Sequence, residues 1–464
     1  MEASIKQLTS VFVMLWDQSF RIWIGVIPRL LMVYVPAWVI SRLLEMAAAA
    51  LGTLVKSVEY DFETGDTFDY ETTVVATWNQ WAAVVLVALS FLVMLTGIII
   101  CWRLISDFLQ EISGIVDKHS RSLPATLAIT LLPFLSIYSV FDYVDAAANR
   151  VLMYGAMLDS DFGSMVFIPL RPSDTTATLT VVGVIVTAFG LRAAAERLAE
   201  RMRHGAMVFG IIAAILEAFY LFTLFVVGRL LLLRFTRWLA GLQVALWVED
   251  GIEQLSAPLR WLGWSLPDIV SAIGNWFSQV GWPFAITALV EPLLWLALAG
   301  LVLAGTQAKS LSQLLGSDSV ASRTKPKWLT NAIETVKRQE VMAGEVQHAF
   351  FDSFSSKYLP FFQLLVRSLR TGVSFLGAFI IGYALIDFVR DWALYGLRIL
   401  IGPLPLSQQD FWHEFATLGT DSFFITLRLC YLSAAFMLGF AALTSARESA
   451  EHTSLNEKTA EVAK

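Results

Sequence analysis

The stretch that decides the fold covers residues 206–233 and reads AMVFGIIAAILEAFYLFTLFVVGRLLLL. Glu217 and Arg229 are its charged residues, and apart from Tyr220 and Thr223 the other positions are apolar or glycine. A helix needs about 20 mostly apolar residues to cross the hydrocarbon core of a bilayer. This stretch is longer than that, so it predicts a transmembrane helix that tilts.

Seven further stretches have a similar character, and the whole chain agrees with them. Hydrophobic residues make up 56% of the 464 residues and charged residues 16%, whereas a soluble domain carries about 25% charged residues. We therefore predict an all-α, polytopic membrane protein whose spans form four hairpins. The eight predicted spans are 27–51, 82–102, 124–144, 177–192, 206–233, 282–306, 370–389 and 423–445.

The distribution of Lys and Arg predicts the orientation of these spans. If residue 1 is cytoplasmic, the cytoplasmic segments hold 20 of the 33 Lys and Arg residues and the outer loops hold 8. Cytoplasmic loops carry an excess of positive residues in multi-spanning proteins. The count predicts a protein of the cytoplasmic (inner) membrane with both termini in the cytoplasm.

The remaining segments predict how the chain is organised around the spans. Lys6, Trp16 and Arg21 mix charge with aromatic rings, which is typical of an interfacial amphipathic helix. The predicted organisation runs as follows: an interfacial helix in 1–26, five spans in 27–233, an outer Trp-rich amphipathic loop in 234–281, the sixth span in 282–306, a cytoplasmic loop in 307–357, the last two spans in 358–445 and a disordered cytoplasmic tail in 446–464.

Three short matches suggest an internal repeat. Residues 121–123 (RSL) recur at 367–369, DYV at 142–144 resembles DFV at 387–389, and RVL at 150–152 resembles RIL at 398–400. Both copies run in the same direction, so the matches favour two parallel halves of four helices. Chance similarity between two membrane hairpins is the alternative.

Ionisable residues at membrane depth are the first candidates for function. Glu217 lies in the fifth predicted span, and Glu291 lies in the sixth, directly before Pro292. A charge at the bilayer centre costs about 2.5–3.5 kcal/mol on insertion scales, so such side chains face protein or water. Arg229 and Arg428 are the predicted partners of Glu291. These four residues predict a path for an ion or solute, and purely structural pairing is the alternative.

The first outer loop holds a second candidate site. Aromatic and acidic residues alternate on both sides of a Gly turn between residues 60 and 71, which is a β-hairpin pattern. Asp61, Glu63, Asp69 and Glu71 would then share one face. Like charges across a hairpin repel each other, so a cation or a basic partner would stabilise this face. An ordinary solvated acidic loop is the alternative, and no metal is assigned.

Signatures of enzymes and cofactors are mostly missing from the sequence. It contains no nucleotide-binding Gly-rich loop and no Gly-x-Ser-x-Gly motif. Asp410, His413, Glu414 and Asp421 form one acid–base cluster, predicted in the last outer loop. Cys101 and Cys430 lie in or beside apolar stretches and are predicted to be buried thiols. No cofactor is predicted, and the net charge of −6 does not favour a nucleic-acid partner.

These patterns predict a membrane protein that transports a small solute, an ion or a lipid. The second hypothesis is a non-catalytic accessory or scaffold subunit of an envelope assembly. Such a subunit would bind lipid and protein partners through loops 234–281 and 307–357. A membrane-embedded envelope enzyme is the third hypothesis, and the missing signatures make it the weakest.

Overall fold

A computed structural model describes about two thirds of the chain. The described residues are 2–53, 78–113, 143–158, 175–201, 206–240, 276–305, 372–403 and 405–462, with the isolated positions 126, 130–131, 133–135, 137–138, 170, 272 and 274. Apart from Gly372, Gly402, Pro403 and Pro405, all of these residues are helical, so the described part contains no strand.

The helices follow one another along the chain and vary greatly in length. The longest are α1 and α9, with 52 and 57 residues. Two short π-helical segments precede α7. In chain order the elements are α1 (Glu2–Thr53), α2 (Trp78–Ser113), α3 (Tyr143–Leu158), α4 (Thr175–Arg201), α5 (Ala206–Ala240), π1 (Phe277–Gly281), α6 (Trp282–Ala285), π2 (Ile286–Val290), α7 (Glu291–Gly305), α8 (Val373–Ile401) and α9 (Leu406–Val462).

Seven described segments are long and apolar enough to cross a membrane. Each overlaps one of the predicted spans, and together they fit a multi-pass membrane protein. The predicted third span, 124–144, is described at only a few positions between 126 and 138, all helical. The seven segments are Lys6–Gly52, Trp78–Leu109, Thr178–Ala199, Val208–Gly228, Ile286–Leu303, Val373–Ile401 and Trp412–Gly439.

Three regions differ in extent from the sequence prediction. Helix α1 is continuous, so the predicted interfacial helix and the first span are one element that contains Pro28 and Pro36. Helices α8 and α9 extend through the predicted last outer loop and leave only residues 402–405 between them. Helix α9 also continues through the predicted disordered tail to Val462, since residues 440–462 contain neither Gly nor Pro to end it.

The chain divides into two compact units. The first comprises residues 1–38, 95–133 and 292–464. In this unit α1 buries one face at helical spacing, with Leu15, Ser19, Val26 and Leu30 fully or almost fully covered. The Trp23 indole donates a hydrogen bond of 3.1 Å to the Thr426 hydroxyl, which connects α1 to α9.

Close helix packing in the first unit depends on small residues. Gly25 of α1 lies against the ring of Phe108 in α2, and Gly97 of α2 lies against the Ala37 methyl group of α1. A side chain at either glycine would overlap its neighbour. Small residues let membrane helices approach closely, because attraction between such helices comes from packing rather than from the exclusion of water.

The second unit comprises residues 39–94 and 134–291. Helices α4 and α5 form a hairpin that is connected by residues 202–205. Aromatic rings fill the interior of this unit: Phe91 of α2 contacts Phe222 of α5, with ring centroids 5.5 Å apart. Phe91 also meets Tyr138 edge-on at 5.7 Å.

Candidate functional site

Glu217, the acid in the fold-deciding stretch, forms a buried ion pair within the α4–α5 hairpin. Its side chain is 3% exposed, and its Oε1 lies 3.5 Å from Nη2 of Arg192, which is 5% exposed. The same guanidinium donates a hydrogen bond of 3.0 Å to Glu196 one turn further along α4. Arg192 is the last residue of the predicted fourth span, and the structure buries it against Glu217 of α5.

Glu291 is the second predicted acid and is also buried, at 5% exposed. It is the first residue of α7, directly after the π-helical segment π2. Its backbone N–H donates to the carbonyl of Ile286, five residues earlier, which is the π-helical hydrogen bond. Pro292 follows in the first turn of α7 and has no N–H to donate, and the helix continues from there to Gly305.

The carboxylate of Glu291 receives a hydrogen bond from Tyr143. The Tyr143 hydroxyl donates to Oε1 at 2.9 Å, although the two residues are 148 positions apart in the chain. Tyr143 begins α3, and its ring packs on Tyr138 with centroids 4.8 Å apart. Tyr138 in turn packs on Phe134 at 4.2 Å. The half-buried phenol that reaches Glu291 is thus held in place by ring packing against Tyr138.

A third buried acid, Glu45, was not singled out from the sequence. Its side chain is 1% exposed and lies between Arg42 of α1 and Arg150 of α3. Arg150 binds it with two parallel hydrogen bonds, Nε to Oε2 at 2.9 Å and Nη2 to Oε1 at 3.0 Å. Arg42 adds a third hydrogen bond, 2.9 Å long, to Oε2. The sequence does contain a signal for this site, since Arg42 and Glu45 are opposite charges three positions apart inside an apolar span.

Arg428, the predicted partner of Glu291, binds an acid within its own unit. Its guanidinium forms an ion pair with Asp387 of α8 and lies 4.9 Å from the centroid of the Tyr383 ring. In a neighbouring pair the base is on α8 and the acid on α9, since Arg390 of α8 donates to Asp421 of α9, with Nη2 2.7 Å from Oδ1. Each helix of this hairpin therefore supplies one acid and one base to its partner.

The acid–base cluster of residues 410–421 divides in the structure. It lies on α9 rather than in a loop, and Arg398 of α8 contacts Nδ1 of His413 at 3.1 Å. Asp421 is eight residues further along the helix, about 12 Å along its axis, and pairs with Arg390 instead. His413 and Asp421 are therefore too far apart for direct proton exchange, and Glu414 is the acid beside His413.

Other predicted site residues lie outside the described part of the chain. Asp61, Glu63, Asp69 and Glu71, with the rest of the predicted hairpin, are among them, and so are loop 307–357 and residues 241–271 of the outer loop. Arg229 lies within α5, but its side chain is not described. Within the described ranges, no group of three or more His, Cys, Asp or Glu residues could hold a metal ion.

No family model, curated protein or solved structure matches this chain.

Proposed function

We propose that this protein transports a small solute, an ion or a lipid, and that Glu291 is the working carboxylate of its path. One observation carries the proposal: a buried acid inside an apolar helix lies at the end of a π-helical segment and accepts a hydrogen bond from Tyr143. Ionisable residues at membrane depth are costly and usually mark ion or substrate paths. Single π-helical turns occur frequently at functional sites.

In the proposed topology the chain crosses the cytoplasmic membrane eight times, with both termini in the cytoplasm. The eighth span is the predicted one at 124–144, added to the seven apolar helices. The excess of Lys and Arg in the predicted cytoplasmic segments supports the orientation. The matches near Tyr143–Val144 and Phe388–Val389 support two parallel halves of four helices.

Glu217 has a different place in the proposal from Glu291. Its carboxylate is matched by a guanidinium, Arg192, on the facing helix of the hairpin. Breaking a buried pair is strongly destabilising because it leaves an uncompensated charge. We therefore assign Glu217 to holding α4 and α5 in register and Glu291 to the path itself.

The test is charge movement in reconstituted vesicles. Wild-type protein is reconstituted and adsorbed on a solid-supported membrane, and a panel of amino acids, sugars, nucleosides and salts is applied. We expect at least one solute to produce a transient current, and Glu291→Gln to abolish that current. Asp391→Asn is the matched control, because this acid on α8 is 74% exposed and should be dispensable.

Folding is checked separately by size-exclusion chromatography and thermal unfolding of each variant. A folded Glu291→Gln protein without current supports the proposal. A folded Glu291→Gln protein whose current equals that of wild type contradicts it, as does a wild-type protein that moves no charge with any solute of the panel.

A second candidate function is that of an accessory or scaffold subunit. Its supporting observation is an exposed apolar stripe on α8, whose members recur every three or four residues and are each at least 40% exposed. The stripe consists of Ile381, Leu385, Phe388, Trp392, Tyr395 and Ile399. In this alternative the stripe contacts another membrane helix, and loops 234–281 and 307–357 bind further partners.

Co-purification from native membranes distinguishes the two candidates. If the scaffold function is correct, a defined set of proteins co-purifies with the tagged chain, and Phe388→Ala combined with Trp392→Ala reduces their yield several-fold. If the transport function alone is correct, the double substitution leaves both the co-purified proteins and the currents unchanged.

A further inference from the structure

We infer that Arg150, together with Arg42, binds the phosphate group of a membrane phospholipid. This site goes beyond the proposed transport function and does not depend on it. Three features of the second unit point to it: the way Glu45 orients one guanidinium group, the net charge of the cluster, and the apolar surface around it.

Arg150 has one edge of its guanidinium group fixed and the opposite edge turned away from that contact. Nε and Nη2 donate to the two oxygens of Glu45 at 2.9 and 3.0 Å. The group has further N–H donors on Nη1 and Nη2. In the described part of the chain these form no additional hydrogen bond or ion pair, and the side chain is 26% exposed. Arginine binds phosphate oxygens through such an edge with two parallel hydrogen bonds.

The carboxylate that orients Arg150 does not neutralise the cluster. Glu45 also accepts a hydrogen bond from Arg42, so two guanidinium groups share one carboxylate and the three side chains carry a net positive charge. Glu45 is buried, whereas both arginines are partly exposed, and the positive charge therefore lies at the protein surface. Because the ion pair already fixes Arg150 in one geometry, an anion that binds there loses little free energy to the ordering of this side chain.

The surface around the two arginines is apolar, which favours a lipid over a free anion. Apolar side chains that lie three to seven positions from Arg42 or Arg150 on the same helix, or directly beside Arg42, are exposed. They are Leu43 and Met46 on α1 and Met153 and Met157 on α3, each at least 47% exposed. Acyl chains of a phospholipid cover such side chains while its phosphate group reaches the guanidinium edge.

The proposed topology places the cluster near the headgroups of the outer leaflet. Glu45 lies within two turns, or about 11 Å along a helix, of the end of the predicted first span, 27–51. Arg150 lies within two turns of the end of the predicted third span, 124–144. Both of these span ends are on the outer side in that topology. Long arginine side chains keep their stems in apolar surroundings and extend the charged group toward the headgroups.

The test is native mass spectrometry of the full chain in detergent, with phosphatidylglycerol added at rising concentration. We expect a bound lipid in wild type, and Arg150→Lys should weaken its binding about tenfold or more, the effect of losing one charge-assisted hydrogen bond. Lysine keeps the positive charge beside Glu45 but has no planar second edge. Arg21→Lys makes the same change at a 78% exposed arginine of α1 and should leave binding unchanged.

A second variant tests the site without altering the ion pair. Met153→Glu places a carboxylate one helical turn from Arg150, where it repels the phosphate group or occupies the same donors, so it should weaken binding as Arg150→Lys does. Met14→Glu adds the same charge at an exposed position of α1 in the first unit and should have no effect.

Two competitors distinguish a phospholipid from other ligands. A diacyl glucolipid without phosphate and inorganic phosphate at millimolar concentration should both fail to displace phosphatidylglycerol. Displacement by the glucolipid would overturn the role of the phosphate group, and displacement by inorganic phosphate would assign the site to a free anion and overturn the lipid. Both Arg150→Lys and Met153→Glu binding lipid as wild type does would leave Arg150 a purely structural role and overturn the inference. Charge movement in the solid-supported membrane assay decides the transport function separately.

Discussion

Glu45 shows how an acid is stabilised inside an apolar helix of this protein. Its two oxygens accept three hydrogen bonds. Arg150 donates two of them as a bidentate pair, and Arg42 donates the third. Charge-assisted bidentate pairs are among the stronger hydrogen bonds in proteins. Glu45 is 1% exposed, so its carboxylate is paired by these two arginines rather than by bulk water.

We predict that Glu45→Ala destabilises the protein by about 3–5 kcal/mol, because it leaves two guanidinium groups without their carboxylate. The matched control is Asp17→Ala, which removes an exposed pair with Arg21 on the same helix and should cost about 0.2–1 kcal/mol. Unfolding by sodium dodecyl sulfate in mixed micelles measures both changes. Equal destabilisation by the two substitutions would contradict the structure around Glu45.

The two cysteines allow a second test at the scale of single residues. Cys101 and Cys430 are the only cysteines of the chain, and both are 0% exposed. The Cys101 thiol also lies 3.8 Å from the backbone carbonyl of Leu30. We predict that a maleimide reagent labels neither thiol in the folded protein and both after denaturation, as counted by intact-protein mass spectrometry. Rapid labelling of either thiol in folded protein would show that the described packing is wrong there.

Among the elements, the α8–α9 hairpin shows how two helices are held in register. Gly402 has a φ of 77° and ends α8, and Pro403 and Pro405 follow it. A backbone position with positive φ is most readily occupied by glycine, and the prolines that follow cannot continue the helix. From this turn inward, Arg398 meets His413, Arg390 meets Asp421, and Asp387 meets Arg428. From pair to pair the residue numbers fall along α8 and rise along α9, as expected for antiparallel helices.

Gly382 allows the closest approach within this hairpin. The Tyr431 ring covers the position where a Cβ atom would lie, and the Tyr431 hydroxyl donates to the Phe379 carbonyl at 3.1 Å. We predict that Gly382→Ala separates the helices and lowers the thermal stability, whereas Gly396→Ala on the same helix has open space around it. The second substitution should be neutral or stabilising by up to about 1 kcal/mol, the helix propensity gained over glycine.

Differential scanning fluorimetry in detergent measures both glycine variants side by side. Tyr431→Phe combined with Gly382→Ala should recover part of the loss, because it removes the hydroxyl group nearest to the new methyl group. If Gly382→Ala is as well tolerated as Gly396→Ala, the two helices do not pack as closely as described.

For the whole molecule, hydropathy along the chain predicted helices and spans well and predicted partners poorly. Seven of the eight predicted spans overlap an apolar helix, because length and composition decide whether a helix can cross a bilayer. The partners of Glu45, Glu217 and Glu291 depend on how each helix is rotated and shifted against its neighbour. A single sequence does not show how helices rotate and shift against each other, so Tyr143 was missed although Glu291 was found.

The number of spans decides on which side of the membrane the two termini lie. Seven spans place them on opposite sides and eight on the same side, so the question reduces to whether 124–144 crosses the membrane. Residues 126, 130–131, 133–135 and 137–138 are helical, as a span there requires. The Lys and Arg count further favours both termini in the cytoplasm.

We predict that a fluorescent protein fused after residue 464 is fluorescent and that alkaline phosphatase fused at the same place is inactive. Fusions after residue 113 should behave in the same way, because α2 ends there on the predicted cytoplasmic side. Phosphatase fused after residue 158, at the end of α3, should be active, since the chain has then crossed the membrane a third time. Inactive phosphatase at 158 together with active phosphatase at 464 would mean seven spans, and 124–144 would then remain on one side of the membrane.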